Sequence, residues 1–335
     1  MKINRLIYLL YYLKILDWKK LWKFLNYSTD FSGKNKLSLF LDSVTSVIKY
    51  NISIMEYFQF QYFKIDYIDR KNWAGTGYMY EYQLRMNPKS ERQILDDKTL
   101  FYKNYNEFFL HKVADLKTLK SNQKLCQELL ANSSGKIVFK FAKGKCGKGV
   151  LIRPVKDFTS DSLVHFMEKE GYDLAEEFLI QHPDLQKLSP SAVNTVRIFT
   201  QLNERNEVEL LGCRLRISVN SHVDNLAAGN IAAPIDESTG VVTGPGVYSD
   251  ITKPDEYYHP NTGVSIIGFQ IPFWKETVEL AKKAALKHPQ NRSIGWDIVI
   301  TQNGPGLIEG NHDWCKLLWQ LPVKKGMKEI LEKYV

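Results

Sequence analysis

Cysteine is scarce and scattered: Cys126, Cys146, Cys213 and Cys315 form no CxxC pair. This spacing argues against a cysteine zinc site and against a disulfide framework, and it suits a reducing cytoplasm. No long uncharged apolar run is present. The most apolar stretch, Ile7 to Leu13, ends at Lys14 and Asp17, too short and too broken to cross a bilayer. It is followed by no small-residue cleavage pattern of the secretory kind. The GxxxxGK[ST] phosphate loop is missing, and so is any Ser/His/Asp or Cys/His arrangement for nucleophilic catalysis. The formal net charge is +8, yet no nucleic-acid-binding motif accompanies it. The basic surplus therefore points to anionic membrane surfaces or phosphorylated substrates.

What is present begins with length: 335 residues suffice for a large core or two subdomains. The most informative stretch is Ser293 to Asn311. Gly295 to Thr301 is rich in β-branched and aromatic residues, Gln302 to Gly306 is a turn, and Leu307 to Glu309 opens a second strand. This predicts a hairpin with Asp297 on one strand and Glu309 and Asn311 on the other. Residues two apart share a strand face, so three oxygen ligands converge, as a hard cation such as Mg²⁺ requires. A surface hairpin with solvated acids has the same spacing.

At the other end, Trp18, Leu21, Trp22 and Leu25 recur at helical spacing, with Lys19, Lys20 and Lys23 opposite and Phe24 at the flank. Residues 1–30 thus read as a basic amphipathic helix. Either it lies on an anionic membrane through residues 1–27, or it packs on its own domain. In 31–94, Leu37 to Tyr50 is helical, and the aromatic run Tyr57 to Tyr67 is expected to be buried. The role of this region is unclear. Further on, helices are expected from Leu95, over Ser121–Leu130 capped by Ser121, over Asp161–Glu170 capped by Asp161, over Trp274–His288 and over Met327–Tyr334. Lys136 to Phe141, Tyr172 to Ile180, and Val241 to Thr243 read as strands. Between the first two lies Gly144-Lys145-Cys146-Gly147-Lys148-Gly149. In such a loop glycines let backbone amides approach phosphate and lysines supply charge, although many basic glycine turns are plain hairpins. Arg197 sits in an alternating run, facing either solvent or an anion pocket. Arg214 and Arg216 share one strand face and suit bidentate contact with carboxylate or phosphate.

Taken together, AEEFLIQHPDL, SPSAVNTVRIFT, HVDNLAAGNIAAPID and IGWDIVITQNGPGLIEGN resemble the ATP-grasp superfamily, and within it the sugar-transfer-associated group related to α-L-glutamate ligases. The resemblance runs from about Leu95 to Gln320. It implies an α+β fold in which two subdomains, 95–180 and 181–325, clasp ATP, with a helical N-terminal extension and a C-terminal helix over 326–335. By resemblance, Lys140 and Lys98 (with Lys112 as the substitute for Lys98) reach the nucleotide. Gly144, Lys145, Gly147, Lys148 and Gly149 form the lid over its phosphates. Glu176, Glu177, Phe178 and Leu179 form the hinge at adenine, with Glu177 or Asp184 as the ribose acid. Arg197 completes the nucleotide set. Asp297, Glu309 and Asn311 match the ligands of Mg²⁺ or Mn²⁺. Arg214 and Arg216 match arginines that stabilise transferred phosphate, with Asn225 near them. Two departures bear on the lid and the substrate loop: Phe141 follows Lys140 where relatives often have proline, and Gly229-Asn230 stands where relatives often have two glycines. The implied reaction is carboxylate–amine ligation through an acyl phosphate, in capsule or O-antigen-type polysaccharide biosynthesis; the expected location is the cytoplasm, either free or at the inner face of the membrane. The carboxylate would belong to a sugar or glycan and the amine to an amino acid or similar partner, with no nucleic acid involved. A kinase of a glycan hydroxyl, or a non-catalytic assembly subunit with a degenerate ATP site, are the competing readings.

Overall fold

The computed structural model describes residues 2–144 and 149–335. Its first layer is helical: α1 (Lys2–Lys14), α2 (Trp18–Ser32), α3 (Lys36–Tyr50), α4 (Ile54–Gln59), α5 (Tyr67–Arg70) and α6 (Thr76–Met86). Asp17, Asn35 and Ser53 cap α2, α3 and α4 by accepting from the amide three residues on, which satisfies otherwise orphaned donors. The aromatic run is buried as expected: Tyr57, Phe58, Phe60, Tyr62 and Phe63 form one core with Phe24, Leu25 and Leu39.

The orientation of α2 differs from the sequence expectation. Leu21, Phe24, Leu25 and Ser28 face inward, while Trp18 and Trp22 are 60% and 58% exposed. Phe24 is thus central rather than flanking. In α1, too, Tyr12 is buried while Leu6, Ile7, Leu10 and Tyr11 face out. Helical period identifies a stripe but not its neighbour; here two apolar stripes compete, and the aromatic core claims the one bearing Phe24.

The chain continues through α7 (Gln93–Asp96) and α8 (Lys98–Tyr105) into a four-stranded antiparallel sheet of order β1-β4-β2-β3. Its strands are β1 (Val113–Asp115), β2 (Lys136–Lys140), β3 (Leu151–Pro154) and β4 (Leu174–Glu177). Helices α9 (Leu116–Ser121), α10 (Gln123–Leu130) and α11 (Ser160–Glu170) cover one face, where Ile137, Phe139 and Ala175 meet Leu129, Leu163 and Met167. Lys140 and Glu176 are left on the other face. Three expected boundaries move. Asn122 splits the Ser121–Leu130 helix and caps α10, Thr159 rather than Asp161 caps α11, and β4 is limited to the four residues that pair with β1 and β2. In the first two cases neighbouring cap-forming residues compete, and local sequence does not decide between them.

After α12 (Pro183–Leu188) comes a five-stranded antiparallel sheet of order β7-β6-β5-β8-β9. Its strands are β5 (Thr195–Leu202), β6 (Val208–Ile217), β7 (Ile231–Ile235), β8 (Ser293–Thr301) and β9 (Gly304–Asn311). Val196, Ile198, Leu215 and Ile298 pack with α13 (Trp274–Lys287) into the largest core. The expected strand at Val241–Thr243 is only a pair of isolated bridges, Val241 to Gln270 and Val242 to Ile235. Finally, α14 (Lys316–Gln320) and α15 (Lys328–Glu332), shorter than the expected Met327–Tyr334, return to the helical layer.

Candidate active site

Cross-strand register builds the site. Arg214, Arg197, Asp297 and Glu309 stand opposite one another in a single row across β6, β5, β8 and β9. The predicted hairpin forms, and Asn311 pairs with Gly295, on the same face. A register shift after Asp297 sets Glu309 against Asp297. Gly295 is required here: a Cβ would stand 2.7 Å from Trp314 Cβ and 3.3 Å from the Arg197 side chain.

Asp297 is 2% exposed. Arg197 Nε and Nη2 donate to its two oxygens at 2.5 and 2.8 Å, and Arg216 Nη1 adds a bond at 2.7 Å. Burial alone would raise its pKa, but the two guanidiniums outweigh burial and hold it far below the usual carboxylate range. Glu309 goes the other way, raised by burial and by the neighbouring Asp297. Arg216 also binds Asp224 at 2.7 Å, and Asp224 accepts from the Thr195 amide at 2.8 Å. The Nε of Arg216 is buried and has no hydrogen-bond partner among the described residues.

Arg214 is not part of this network. Its Nε donates to the Trp319 carbonyl at 3.1 Å and its Nη1 to the Cys213 carbonyl at 2.7 Å. Burial without a carboxylate partner lowers it to about 10. Asn225 caps the short 3-10 turn Leu226–Ala228 by accepting from the Ala227 amide. Neither meets the Asp297 cluster.

The four-stranded sheet supplies the opposite wall. Lys140 Nζ donates to Glu176 at 2.6 Å. Burial raises Glu176, yet Lys140 and then His111, 3.4 Å away, bring it down to about 2. Lys98, in the first turn of α8, is lowered by burial, an effect that nearby Glu309 opposes. Lys98, Lys140 and Glu176 line one small cavity with Glu309, Phe101 and Phe109. The free volume there is about 20 Å³, far less than a nucleotide fills.

The remaining predicted residues are spread around the rim. Glu177 accepts the Lys112 amide at 2.8 Å, and the Lys112 ammonium turns away to Glu128. Phe178 lies under Lys136, and Leu179 is half-buried. Asp184 is exposed in the first turn of α12 and pairs with Lys187. Gly144 accepts from Lys98 through its carbonyl, and Gly149 adopts a positive φ of 76° against Phe141. Lys145, Gly147 and Lys148 lie outside the described residues.

Sequence reading missed Asp224 and His111. Asp224 sits in a polar loop whose only signal is its place two residues before a short helix. His111 precedes β1, a strand too short to show alternation.

The donor set fits a hard divalent cation. Glu309 and Asp297 bring adjacent carboxylates, and Asn311 donates through Nδ2 to Glu309 and Gly295, leaving its amide oxygen with no donor among the described residues. No group of three or more His, Cys, Asp or Glu among the described residues forms a cage by itself. Magnesium is typically held by one or two carboxylates, with water and phosphate completing the shell.

The sequence matches, over residues 78–334, the family described as sugar-transfer associated ATP-grasp. No curated protein matches it. Similar solved structures include biotin carboxylase from Campylobacter jejuni, at 13% identity and TM-score 0.44, covering 72% of this chain and 47% of that one. Another is L-amino acid ligase from Bacillus licheniformis, at 13% identity and TM-score 0.42, covering 72% and 48%. A third is D-alanyl-alanine synthetase A from Vibrio cholerae, at 11% and 0.40, covering 73% and 65%. The chain spans less than two thirds of each.

Proposed function

Because the chain belongs to the sugar-transfer associated ATP-grasp family, we propose that it is an ATP-dependent carboxylate–amine ligase of polysaccharide assembly, joining a uronic acid to an amine or amino acid. One observation carries this reading: Lys98 and Lys140 from one wall and Glu309 from the other line a single cleft. Polyphosphate chemistry needs cations on the phosphate oxygens facing a metal-binding carboxylate.

In the proposed reaction an oxygen of the substrate carboxylate attacks the γ-phosphorus of ATP, the bond to the bridging oxygen breaks, and ADP leaves. The amine nitrogen then attacks the acyl carbon, inorganic phosphate departs, and the amine gives up a proton. Lys98 and Lys140 neutralise phosphate oxygens, Arg216 stabilises the transferred phosphoryl group, and Arg197 holds Asp297 in place. A bound magnesium ion would draw negative charge off the phosphates. We assign 95–180 and 181–325 as the two clasping subdomains, with Glu176 to Leu179 as the hinge and Gly144 to Gly149 as the lid. Since about 20 Å³ is too little for a nucleotide, its entry requires these walls to part.

Mg-ATP should stabilise the folded chain by about 2.7 kcal/mol at a hundredfold excess over Kd. With a uronate and an amine, hydroxylamine should then trap an acyl phosphate. A stable phosphate ester and no hydroxamate would favour a glycan kinase, and absence of thermal stabilisation would favour a non-catalytic subunit.

The outward stripe on α1 and α2 supports a membrane-surface role. Leu6, Ile7, Leu10, Tyr11, Ile15, Trp18 and Trp22 are all more than half exposed. In sequence, residues 1–36 hold eight Lys and Arg residues against only Asp17 and Asp30, so this segment carries most of the chain's net +8. Apolar stripe and cations together suit an anionic bilayer surface. No described helix is long and apolar enough to cross a membrane. The full chain should sediment with anionic vesicles and not with neutral ones, and a Leu10→Ser/Trp18→Ser variant should stay in solution. Equal sedimentation of that variant would overturn the assignment.

A further inference from the structure

Beside the nucleotide cleft lies a buried histidine to which the proposed reaction gives no task. His111 is 8% exposed and precedes β1 by two residues. The backbone is pinned at the next residue. The Lys112 amide donates to the Glu177 carboxylate at 2.8 Å, and the Lys112 carbonyl accepts from the Glu177 amide at 2.9 Å. Val113 pairs with Glu176, and residues two apart share a strand face, so His111 stands on the face where Val113 and Glu176 line the cleft. Phe109, also in that lining, packs on the imidazole with ring centroids 5.4 Å apart.

The ring meets Glu176. His111 Nε2 lies 3.4 Å from Oε2, the same oxygen that accepts from Lys140 Nζ at 2.6 Å. Nδ1 is buried with no hydrogen-bond partner among the described residues. A neutral imidazole carries one N–H and one lone pair, and the carboxylate draws the N–H to Nε2. Lys140 and then His111 are the groups that offset the burial of Glu176.

These two donors face different demands. In the proposed reaction Lys140 neutralises phosphate oxygens, which compete with Glu176 for its ammonium. A buried carboxylate that loses its cation is left at high cost unless another donor holds it. His111 is placed to do so, and because β1 pairs directly with β4 the contact persists however the cleft walls part.

We infer that His111 is a positioning residue of the nucleotide cleft: its Nε2–H holds the Glu176 carboxylate while the Lys140 ammonium passes from Glu176 to phosphate. This role rests on the ligase reading of the cleft and adds to it the exchange of Lys140 between two anions.

The test is calorimetric titration of the full chain with Mg-ATP, beside a thermal melt without nucleotide, in His111→Phe, His111→Asn and His111→Gln. The first keeps a ring against Phe109 and removes the donor. The asparagine amide reaches only the Nδ1 position, whereas the glutamine amide reaches that of Nε2. His111→Phe and His111→Asn should weaken Mg-ATP binding by about tenfold or more, as loss of a hydrogen bond to a charged group does. His111→Gln should bind within about threefold of the parent. Melts without nucleotide should stay within about 2 °C of the parent, since Lys140 still holds Glu176 there. A merely structural histidine gives the opposite pattern, a lowered melt with unchanged affinity and no rescue by glutamine. That pattern, or Mg-ATP affinity within about threefold of the parent in both His111→Phe and His111→Asn, would overturn the inference. If the parent chain itself binds no Mg-ATP, the cleft reading falls and this role with it. Parent binding with unchanged affinity in those two variants removes this role alone.

Discussion

Glu309→Gln should remain folded and lose Mg-ATP-dependent turnover by about a thousandfold, the scale on which removing a charge-stabilising group from a preorganised site acts. Folding should survive because partial burial and the neighbouring Asp297 both raise the pKa of Glu309; a neutral amide of the same shape relieves that repulsion. The melting temperature should stay level or rise while activity disappears. Steady-state turnover and a thermal melt on the same preparation check this. Turnover within tenfold of the parent would remove Glu309 from the metal set.

Lys316→Met should destabilise the chain by about 3 kcal/mol, toward the lower end for breaking a buried ion pair. Glu56 is 2% exposed and meets the Lys316 ammonium at 3.0 Å. Burial would raise Glu56, but Lys316, the Thr76 hydroxyl and the amides of Ser53 and Thr76 together hold it below its usual value. Lys316 keeps a side-chain exposure of 22%, which tempers the loss. The variant strands a carboxylate whose remaining partners are neutral. Urea unfolding measures the cost, and Glu56→Gln/Lys316→Met should recover most of it. A single variant as stable as the parent would show that water already shields Glu56. Since the folded-state pKa of Glu56 is depressed, its contribution is full above the ordinary carboxylate value of 4.5 and is lost as pH falls through the lowered one.

How much of this was legible depends on the distance over which each feature is decided. The hairpin was legible, because Asp297, Glu309 and Asn311 lie within fifteen residues and strand alternation alone puts the last two on one face. Lys140 was legible as a strand-end lysine beside a glycine loop. Arg197 was only half so. Its strand was clear, but its direction depends on Asp297, a hundred residues later. Arg214 and Arg216 share a face as expected, yet one serves a helix-end carbonyl and the other a carboxylate cluster, because α14 covers only part of that face. In the helical layer the aromatic density announced burial, but with apolar residues on two sides of α1 and α2 nothing local told inside from outside.

The helical layer is fastened to the far end of the chain. Ala74 and Gln320 exchange two hydrogen bonds at 2.9 Å across 246 residues, the Lys328 amide donates to Asn72, and Lys316 reaches Glu56. During synthesis these early helices emerge long before their partners. At about 5–20 residues per second, that gap lasts roughly ten to fifty seconds. Over that interval the surface around Glu56 and Ala74 stays uncovered, with a carboxylate lacking its cation. The nascent chain is thus exposed to chaperones and to aggregation for the time it takes to translate both sheets, and the layer docks only after them.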